Sequence, residues 1–358
     1  MHQRFLLLFT LLFSACGNPD DTSQPEESPL FAPRSYDHLG GRSTMKIGFG
    51  SCLDQDKSLS IFETVKSAGP DMFLMIGDNV YGDTQDGKLT KMAYAYNKQK
   101  GNFRDRELDF PVEAIWDDHD YGLNDAGGDY THKEASQQLF FDFWEVPKDD
   151  VRRTRRGLYR EQRLNLNGKT VQILYLDTRY FRGRLSSTDD WGAEGKERYL
   201  PTVDTTQTML GETQWAWLEK TLSSSADFRL IVSSVQFLAA GHGWECWMMM
   251  PHERTRMTNL LDELGVDNVL FLSGDRHRGG LYRLTTDGGN TIHEITSSPL
   301  NATTYPSTEP GPYRINGPTY TDHNFGLITI NAEEGTIMAE LVGKDGNSVN
   351  NLTVKTGG

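Results

Sequence analysis

Four segments of the sequence share one pattern, a short apolar run that ends abruptly in acidic, thiol or imidazole side chains. The segments are MKIGFGSC, DMFLMIGDNVYGD, PVEAIWDDHDYG and NVLFLSGDRH, which begin at residues 45, 71, 111 and 268. Short apolar runs bounded by Gly and turn residues are typical of buried strands. In layered α/β folds, binding sites form beyond the carboxyl ends of such strands. The pattern therefore predicts an α/β fold whose strand ends bring many ionisable groups together.

Helical periodicity separates these strands along the chain. Helices are predicted at 58–69, 91–100, 134–144, 214–222 and 254–264, and further strands at 170–181 and 228–237. After residue 275 the sequence is β-rich, with Gly, Asn and Asp at the turns. We expect a single domain over residues 45–358, in which the C-terminal strands form part of the second sheet.

The N-terminus is predicted to be a targeting segment, residues 1–16, rather than part of the fold. Arg4 precedes an apolar run at 5–13 that is too short to span a bilayer. The run resembles a bacterial lipoprotein signal with Cys16 as the lipidated residue, and ordinary secretion with nearby cleavage stays open. Residues 17–44 are predicted to be a flexible tether. The chain is thus expected to be exported to the bacterial cell envelope and anchored to a membrane, the outer membrane in a Gram-negative host.

The overall charge disfavours one class of partner. The chain has 36 Lys and Arg against 50 Asp and Glu, whereas nucleic-acid binding needs a basic surface. Beyond Cys16, the cysteines are Cys52 and Cys246. An oxidising compartment would permit a disulfide between them, and the sequence leaves both that pairing and the oligomeric state open.

The ends of the four apolar segments carry the candidate site. They are Cys52; Asp78 with Asn79, Tyr81 and Asp83; Asp117, Asp118 and His119; and Asp275 with His277. One such Asp alone would be interpreted as a helix cap or a turn former. If the ends converge, two carboxylates about 4 Å apart repel by roughly 4 kcal/mol at an effective dielectric near 20. Bound cations would replace this repulsion with a net attraction between the carboxylates and the metal. Because oxygen ligands suit hard cations and thiolate, phenolate and imidazole suit transition metals, the set predicts at least two metals of different character.

The same motifs resemble those of the alkaline phosphatase D (PhoD-like) family, in the calcineurin-like metallophosphoesterase superfamily. They are FGSC at 49–52, GDNVYGD at 77–83, WDDHDYG at 116–122, LDTR at 176–179 and LSGDRH at 272–277. The resemblance runs in the same order over residues 45–330. It implies a four-layer αββα sandwich with two mixed β-sheets.

The resemblance also implies a set of metal ligands. By motif position, Cys52, Asp78, Tyr81 and Asp275 would hold a ferric ion. Asp78 would bridge to a second, divalent metal, expected to be Ca²⁺, which Asp118 and Asp117 would complete. His277 occupies the position of the last His of the superfamily's Gly-His-x-His motif.

The implied reaction is metal-dependent hydrolysis of phosphate esters, chiefly phosphomonoesters, by a metal-bound hydroxide. His119 is the expected general acid for the leaving group, with a purely structural role as the alternative. Asn79, Arg179 and Arg276 are expected to contact the substrate, and Arg278 is a further candidate for binding phosphate oxygens. For each arginine, an ordinary salt bridge remains the alternative.

Two other functions stay open at this point. One is a phosphodiesterase or phospholipase that acts on envelope lipids or polymer phosphodiesters, with which the tether and the Trp- and Met-rich segment 242–256 are compatible. That segment would form either a rim over the site or a packed loop. The other is a surface lipoprotein that binds metal or phosphate without turnover. His119 argues against the latter, because a storage site needs no proton donor.

Overall fold

The computed structural model of the chain describes residues 28–267, 269–307 and 309–356. The predicted signal peptide with Cys16, and the predicted tether as far as residue 27, lie outside the described residues. Within the described ranges, no helix combines the length and the apolar character needed to cross a bilayer.

Helices and strands are interspersed as far as the strand Val269–Ser273, and strands alone follow it, as predicted. The alternation is interrupted by two consecutive helices before residue 144 and by four consecutive strands between residues 160 and 200. The helices are α1 (Ile61–Ala68), α2 (Thr90–Arg106), α3 (Asp118–Tyr121), α4 (Lys133–Phe143), α5 (Gly211–Leu222) and α6 (Pro251–Glu263). The strands are β1 (Thr44–Gly50), β2 (Met72–Ile76), β3 (Val112–Ile115), β4 (Arg160–Leu166), β5 (Lys169–Tyr175), β6 (Ser186–Ser187), β7 (Tyr199–Leu200), β8 (Phe228–Val232), β9 (Val269–Ser273), β10 (Gly279–Thr285), β11 (Thr291–Thr296), β12 (Arg314–Tyr320), β13 (Asn324–Asn331), β14 (Thr336–Gly343) and β15 (Ser348–Lys355).

The strands form two large sheets and a small hairpin. The six-stranded sheet has the order β15-β14-β13-β1-β2-β3, and the seven-stranded sheet has the order β12-β10-β11-β9-β8-β5-β4. Strands β1, β2 and β3 are parallel to one another, as are β5, β8, β9 and β11, while the remaining pairs in these sheets are antiparallel. Both sheets are therefore mixed, which confirms the prediction. The hairpin pairs β6 with β7.

Alternating side chains of the seven-stranded sheet show how the layers stack. Ile173 of β5 and Leu272 of β9 belong to the hydrophobic core shared with the six-stranded sheet. Their neighbours Leu174 and Phe271 belong to a second core formed with α5 and α6. The period of two is that of a strand buried on both faces. With α1, α2 and α4 contributing to the first core, the structure is the predicted four-layer αββα sandwich.

The C-terminal strands differ from the prediction that they all join the second sheet. Strands β10 to β12 do so, but β13 to β15 extend the six-stranded sheet through the antiparallel pair of β13 with β1. The sequence patterns missed the two-residue strands β6 and β7 and three longer strands, namely β4, β12 and β15. Each lies at the edge of a sheet, where polar side chains are favoured and apolar alternation is weak.

The folded region also begins before residue 45, the predicted boundary of the tether. Leu30, Phe31 and Leu39 are buried. The Phe31 ring stacks on Trp144 at a centroid distance of 5.2 Å and meets the edge of Phe103 at 5.4 Å. The segment before β1 therefore packs against α2 and against the C-terminal end of α4.

Replacement of Phe31 by Ala should lower the stability of the domain. The change removes a buried aromatic ring that bridges α2 and α4, for which we expect a loss of about 3 kcal/mol in the free energy of unfolding. Chemical denaturation monitored by tryptophan fluorescence measures the loss. Ser35→Ala, an exposed position in the same segment, is the matched control. Equal stability of the two variants would show that this segment is only a tether.

Candidate metal centre

The ends of strands from both sheets meet at one place. Cys52, Asp78 and Asp118 follow β1, β2 and β3 of the six-stranded sheet, and Asp275 follows β9 of the other sheet. The Asp275 backbone N–H donates to Ser51 Oγ at 3.2 Å, and the Cys52 Sγ donates to the Asp275 carbonyl oxygen at 3.4 Å. These hydrogen bonds join the two sheets at the point where the predicted site residues lie.

Several of the predicted ligands lie close enough to share a cation. One group is Cys52, Asp78 and His277; another is Asp78, Asp118 and His119; a third is Asp78, Asp117, Asp118 and Asp275. Within each group, one potential ligand atom per residue lies within 4.8 Å of the others. Asp78 belongs to all three groups, so its carboxylate is the common element of the cluster.

The backbone at these strand ends adopts an uncommon conformation. Cys52, Asp78, Asp275 and His277 have φ angles of 58°, 50°, 64° and 51°. Left-handed conformations of residues other than Gly cost of the order of 1–3 kcal/mol each, persist only where surrounding contacts enforce them, and cluster at functional sites. The tight turns aim the side chains of successive strand ends at a common point.

Gly77 permits the close approach of β2 and β3 at this point. Its φ is +117°, and a Cβ atom there would lie 2.5 Å from Asp117 Cβ. A side chain at position 77 would therefore push Asp117 away from the other carboxylates.

The cluster is electrostatically strained in the absence of cations. Burial raises the pKa of Asp78, and Cys52 and Asp118 raise it further. Burial likewise raises the pKa of Asp275, to which Asp117 adds, and burial followed by Asp275 raises the pKa of the Cys52 thiol to about 12. A bound cation would favour the ionised forms of all these groups and so offset the strain.

Asp117 shows which atoms are left for a cation. Its Oδ1 accepts hydrogen bonds from Arg179 Nε and Ser234 Oγ, both at 2.6 Å. Its Oδ2 is buried and has no hydrogen-bond partner among the described residues. A buried carboxylate oxygen without a donor, beside three further carboxylates, fits a metal ligand. The thiol, phenol and carboxylate groups together fit one borderline-soft and one hard cation.

Arg179 lies behind the carboxylates rather than at the surface of the pocket, where the expected phosphate contact would require it. Its side chain is fully buried. Its Nε binds Asp117, and its Nη1 binds Glu245 Oε2 at 2.6 Å. Glu245 also lies 2.9 Å from Arg182 Nε. Arg179 thus neutralises the charge of Asp117 and ties it to the 242–256 segment.

His119 is held by Asp83, a residue of the GDNVYGD motif to which the sequence assigned no role. Its Nδ1 lies 2.9 and 2.8 Å from the two carboxylate oxygens of Asp83. Burial alone would lower the pKa of His119, but Asp118 and Asp78 outweigh burial and raise it to about 11. Asp83 therefore fixes the orientation of the imidazole, and Nε2 is the ring nitrogen left for a substrate.

Tyr81 lies between His119 and His277, with its ring centre 4.5 Å from that of His119. The Tyr81 hydroxyl is 3.2 Å from His277 Nε2, and His277 Nδ1 binds the Thr303 carbonyl oxygen. Because a carbonyl oxygen accepts only, Nδ1 carries the proton, and Nε2 has a lone pair that faces the Tyr81 hydroxyl. The structure thus keeps Nε2 of His277 and the Tyr81 oxygen available as ligand atoms.

Asn79 is buried below the cluster. Its amide nitrogen donates to the Ile115 carbonyl oxygen at 2.9 Å and to Asp120. Asp120 in turn accepts from the Asp117 backbone N–H at 2.7 Å. Asn79 and Asp120 therefore brace the turn after β3, and the expected substrate contact of Asn79 is not seen at the pocket surface.

A pocket of about 540 Å³ opens onto the site. It is lined by Asp78, Tyr81, Asp118, His119, Asp275, Arg276 and His277 among the predicted residues. Trp244 and Glu245 of the 242–256 segment also line it, whereas Trp247 and Met250 of that segment lie in the second core. The segment is therefore both a rim and a packed loop.

Sequence reasoning missed Glu245 and the role of Asp83. Asp83 could have been paired with His119, since both belong to motifs already aligned on the site. Glu245 has no local signal, because its partners Arg179 and Arg182 lie more than 60 residues away. Cys52 and Cys246 are both buried and unpaired, so the disulfide that the sequence left open does not form.

Comparisons with known proteins agree with the geometry. Alkaline phosphatase D of Bacillus subtilis (strain 168) is 23% identical over 256 residues, which cover 63% of this chain and 42% of that protein. A solved structure of PhoD matches with a TM-score of 0.68 at 16% identity, covering 84% of this chain and 66% of that one. A purple acid phosphatase from yellow lupin (Lupinus luteus) seeds matches with a TM-score of 0.55 at 12% identity, covering 88% of this chain and 54% of that one.

At these identities the structural matches show a common fold, the metallophosphoesterase-type sandwich. The chain spans less than two thirds of the length of each of these relatives. The model of the PhoD-like phosphatase family matches residues 48–340, which include all four strand ends of the cluster. The chain therefore belongs to the PhoD-like phosphatase family.

Proposed function

We propose that this chain is a metal-dependent phosphoesterase that hydrolyses phosphomonoesters. The observation that carries the proposal is the position of Asp78 in three overlapping groups of potential ligand atoms. A carboxylate placed in this way can bridge two cations, the arrangement used by phosphatases that act without a protein nucleophile. Membership of the PhoD-like phosphatase family supports the same chemistry.

The donor atoms favour two different cations. Cys52, Tyr81 and Asp275, with Asp78, would hold a ferric ion, because thiolate and phenolate are ligands for transition metals. Asp118 and Asp117, again with Asp78, would hold a divalent ion, for which Ca²⁺ is our choice because carboxylate oxygens suit hard cations. When bound, such a pair of metals lowers the pKa of a water nucleophile towards neutrality and offsets charge on the phosphoryl oxygens.

His119 is then the proton donor to the leaving group. Asp83 accepts the Nδ1 proton of the imidazole, so the mobile proton is the one at Nε2. His119 lines the pocket beside Asp78 and Asp118, where the departing oxygen of a bound ester would lie. A general acid in this place typically accelerates ester cleavage by about 10²–10⁴-fold. A site that only stored metal or phosphate would gain nothing from the His119–Asp83 pair.

Asp118→Asn tests whether the cluster is the active site. The change keeps the shape of the side chain but removes a charge that would hold the divalent cation, so turnover should fall by about 100-fold or more. The assay uses p-nitrophenyl phosphate and bis-p-nitrophenyl phosphate, and we expect the wild type to prefer the monoester. Asp129→Asn, at an exposed carboxylate outside the cluster, is the control and should retain activity. Full turnover in Asp118→Asn would remove the proposal.

His119→Asn tests the proton donor through the leaving group. Loss of a general acid should slow the hydrolysis of phenyl phosphate by about 100-fold or more, and that of p-nitrophenyl phosphate much less, because p-nitrophenolate departs without a proton. His38→Asn, at an exposed His, should change neither rate. An equal loss on both esters would assign His119 a structural role instead.

Cys52→Ser and Tyr81→Phe test the identity of the first metal. Thiolate and phenolate bound to a ferric ion absorb visible light through charge transfer, so the iron-loaded wild type should be coloured. Each variant should shift or abolish the absorption band and lose activity with it. Tyr94→Phe, at a tyrosine that is 67% exposed, should keep the spectrum. An iron-loaded wild type without visible absorption would contradict the ligand assignment.

A further inference from the structure

The pocket is much larger than a phosphate group requires. A volume of about 540 Å³ lies within the range of pockets that bury drug-sized ligands. The candidate ligands Asp78, Asp118 and Asp275 account for only part of the lining. The remaining lining includes Arg198, Trp244, Arg276, Arg278 and Tyr305. The organic part of a bound ester would therefore lie against these side chains.

Three of these residues form one unit, which we call the arginine–tryptophan wall: Arg198, Trp244 and Arg276. The guanidinium carbon of Arg198 lies 5.0 Å from the centre of the Trp244 ring, and that of Arg276 lies 4.9 Å from it. Both distances are within the range of cation–π contacts. The Trp244 indole thus makes cation–π contacts with two guanidinium groups beside the pocket.

Together with the neighbouring Arg278, the wall has more positive charge than the carboxylates paired with it compensate. Arg198 Nη1 lies 2.7 Å from Asp125 Oδ2. Arg276 pairs with Glu309, and the same carboxylate lies 3.3 Å from Arg278 Nε. Three guanidinium groups therefore share two carboxylates, which leaves one positive charge in excess on this part of the lining.

The wall also has hydrogen-bond donors to spare. Each guanidinium gives one nitrogen to its carboxylate partner, Arg198 Nη1 to Asp125 and Arg276 Nη2 to Glu309, which leaves the other Nη atom of each for a ligand. A guanidinium offers five N–H donors in a planar fork that matches the oxygens of a carboxylate or a phosphate. Excess charge and unused donors beside a pocket are both relieved by an anionic ligand group.

We propose that the arginine–tryptophan wall binds an anionic group on the leaving part of the substrate. The preferred substrates would then be phosphate esters of alcohols that carry their own carboxylate or a second phosphate. This inference rests on the proposed function, since it places the reacting phosphate at the metal cluster. It adds a specificity-determining subsite in which Arg198, outside every motif of the family resemblance, is a central residue.

The test compares esters that differ only in the additional anionic group. Phenyl phosphate is matched with 4-carboxyphenyl phosphate, and glycerol 1-phosphate with glycerol 1,3-bisphosphate, so that the two pairs separate a carboxylate from a phosphate. For the wild type, we expect kcat/KM to be about tenfold or more higher for the anionic member of at least one pair, through a lower KM. In Arg198→Gln this preference should fall by about tenfold, and Arg198→Lys should restore part of it because the charge returns without the planar fork.

Arg184→Gln is the matched control, because Arg184 is exposed and pairs with Asp129 outside the pocket; it should keep the preference of the wild type. If Arg198→Gln slows both members of a pair equally, the wall contacts the reacting phosphate and the inference fails. A wild type without preference would also overturn the inference while leaving the phosphoesterase activity intact. Absence of turnover on every ester would remove the proposed function, and this inference with it.

Discussion

Four largely buried carboxylates at three converging strand ends are the constraint on which the rest of this structure depends. Asp78, Asp117, Asp118 and Asp275 lie within one cluster, although a pair of carboxylates 4 Å apart repels by about 4 kcal/mol at an effective dielectric near 20. A typical hydrogen bond contributes only about 1 kcal/mol, so a single turn could not hold such a cluster. Two packed sheets can hold the cluster, because the body of each strand is buried in a core. The left-handed turns after β1, β2 and β9 then only orient the side chains at the strand ends.

The structure compensates part of that charge internally and leaves part of it available. Arg179, fully buried, neutralises one oxygen of Asp117 and is itself balanced by Glu245. The other oxygen of Asp117 has no hydrogen-bond partner among the described residues, and the pKa of Asp78 stays raised although His119 lowers it. Glu245 also belongs to the segment that places Trp244 in the pocket. The same ion pairs therefore fix the geometry of the candidate metal ligands and the position of the pocket wall that would contact a substrate.

The sequence was sufficient for the features that depend on local pattern. The alternation of apolar runs and helices predicted an α/β fold, and the resemblance to the PhoD-like family implied its four layers. The polar residues after each run predicted which strand ends converge. Features that depend on distant partners were not predictable. The register of β13 on β1 joins residues more than 270 positions apart. Edge strands such as β4 carry only weak apolar alternation, and the burial of Arg179 follows from Glu245, which no motif marks. The packing of Phe31 was hidden because one aromatic in a Pro-containing segment has no periodicity to reveal it.

The central claim is that this carboxylate cluster binds the metals on which phosphoester hydrolysis depends. The most direct test measures the metal content of the purified protein by elemental analysis, in parallel with turnover of p-nitrophenyl phosphate in the same samples, before and after treatment with a chelator. The account predicts two metals per chain, loss of turnover in proportion to metal removed, and its return when iron and calcium are restored. Turnover that survives complete removal of metal would contradict it.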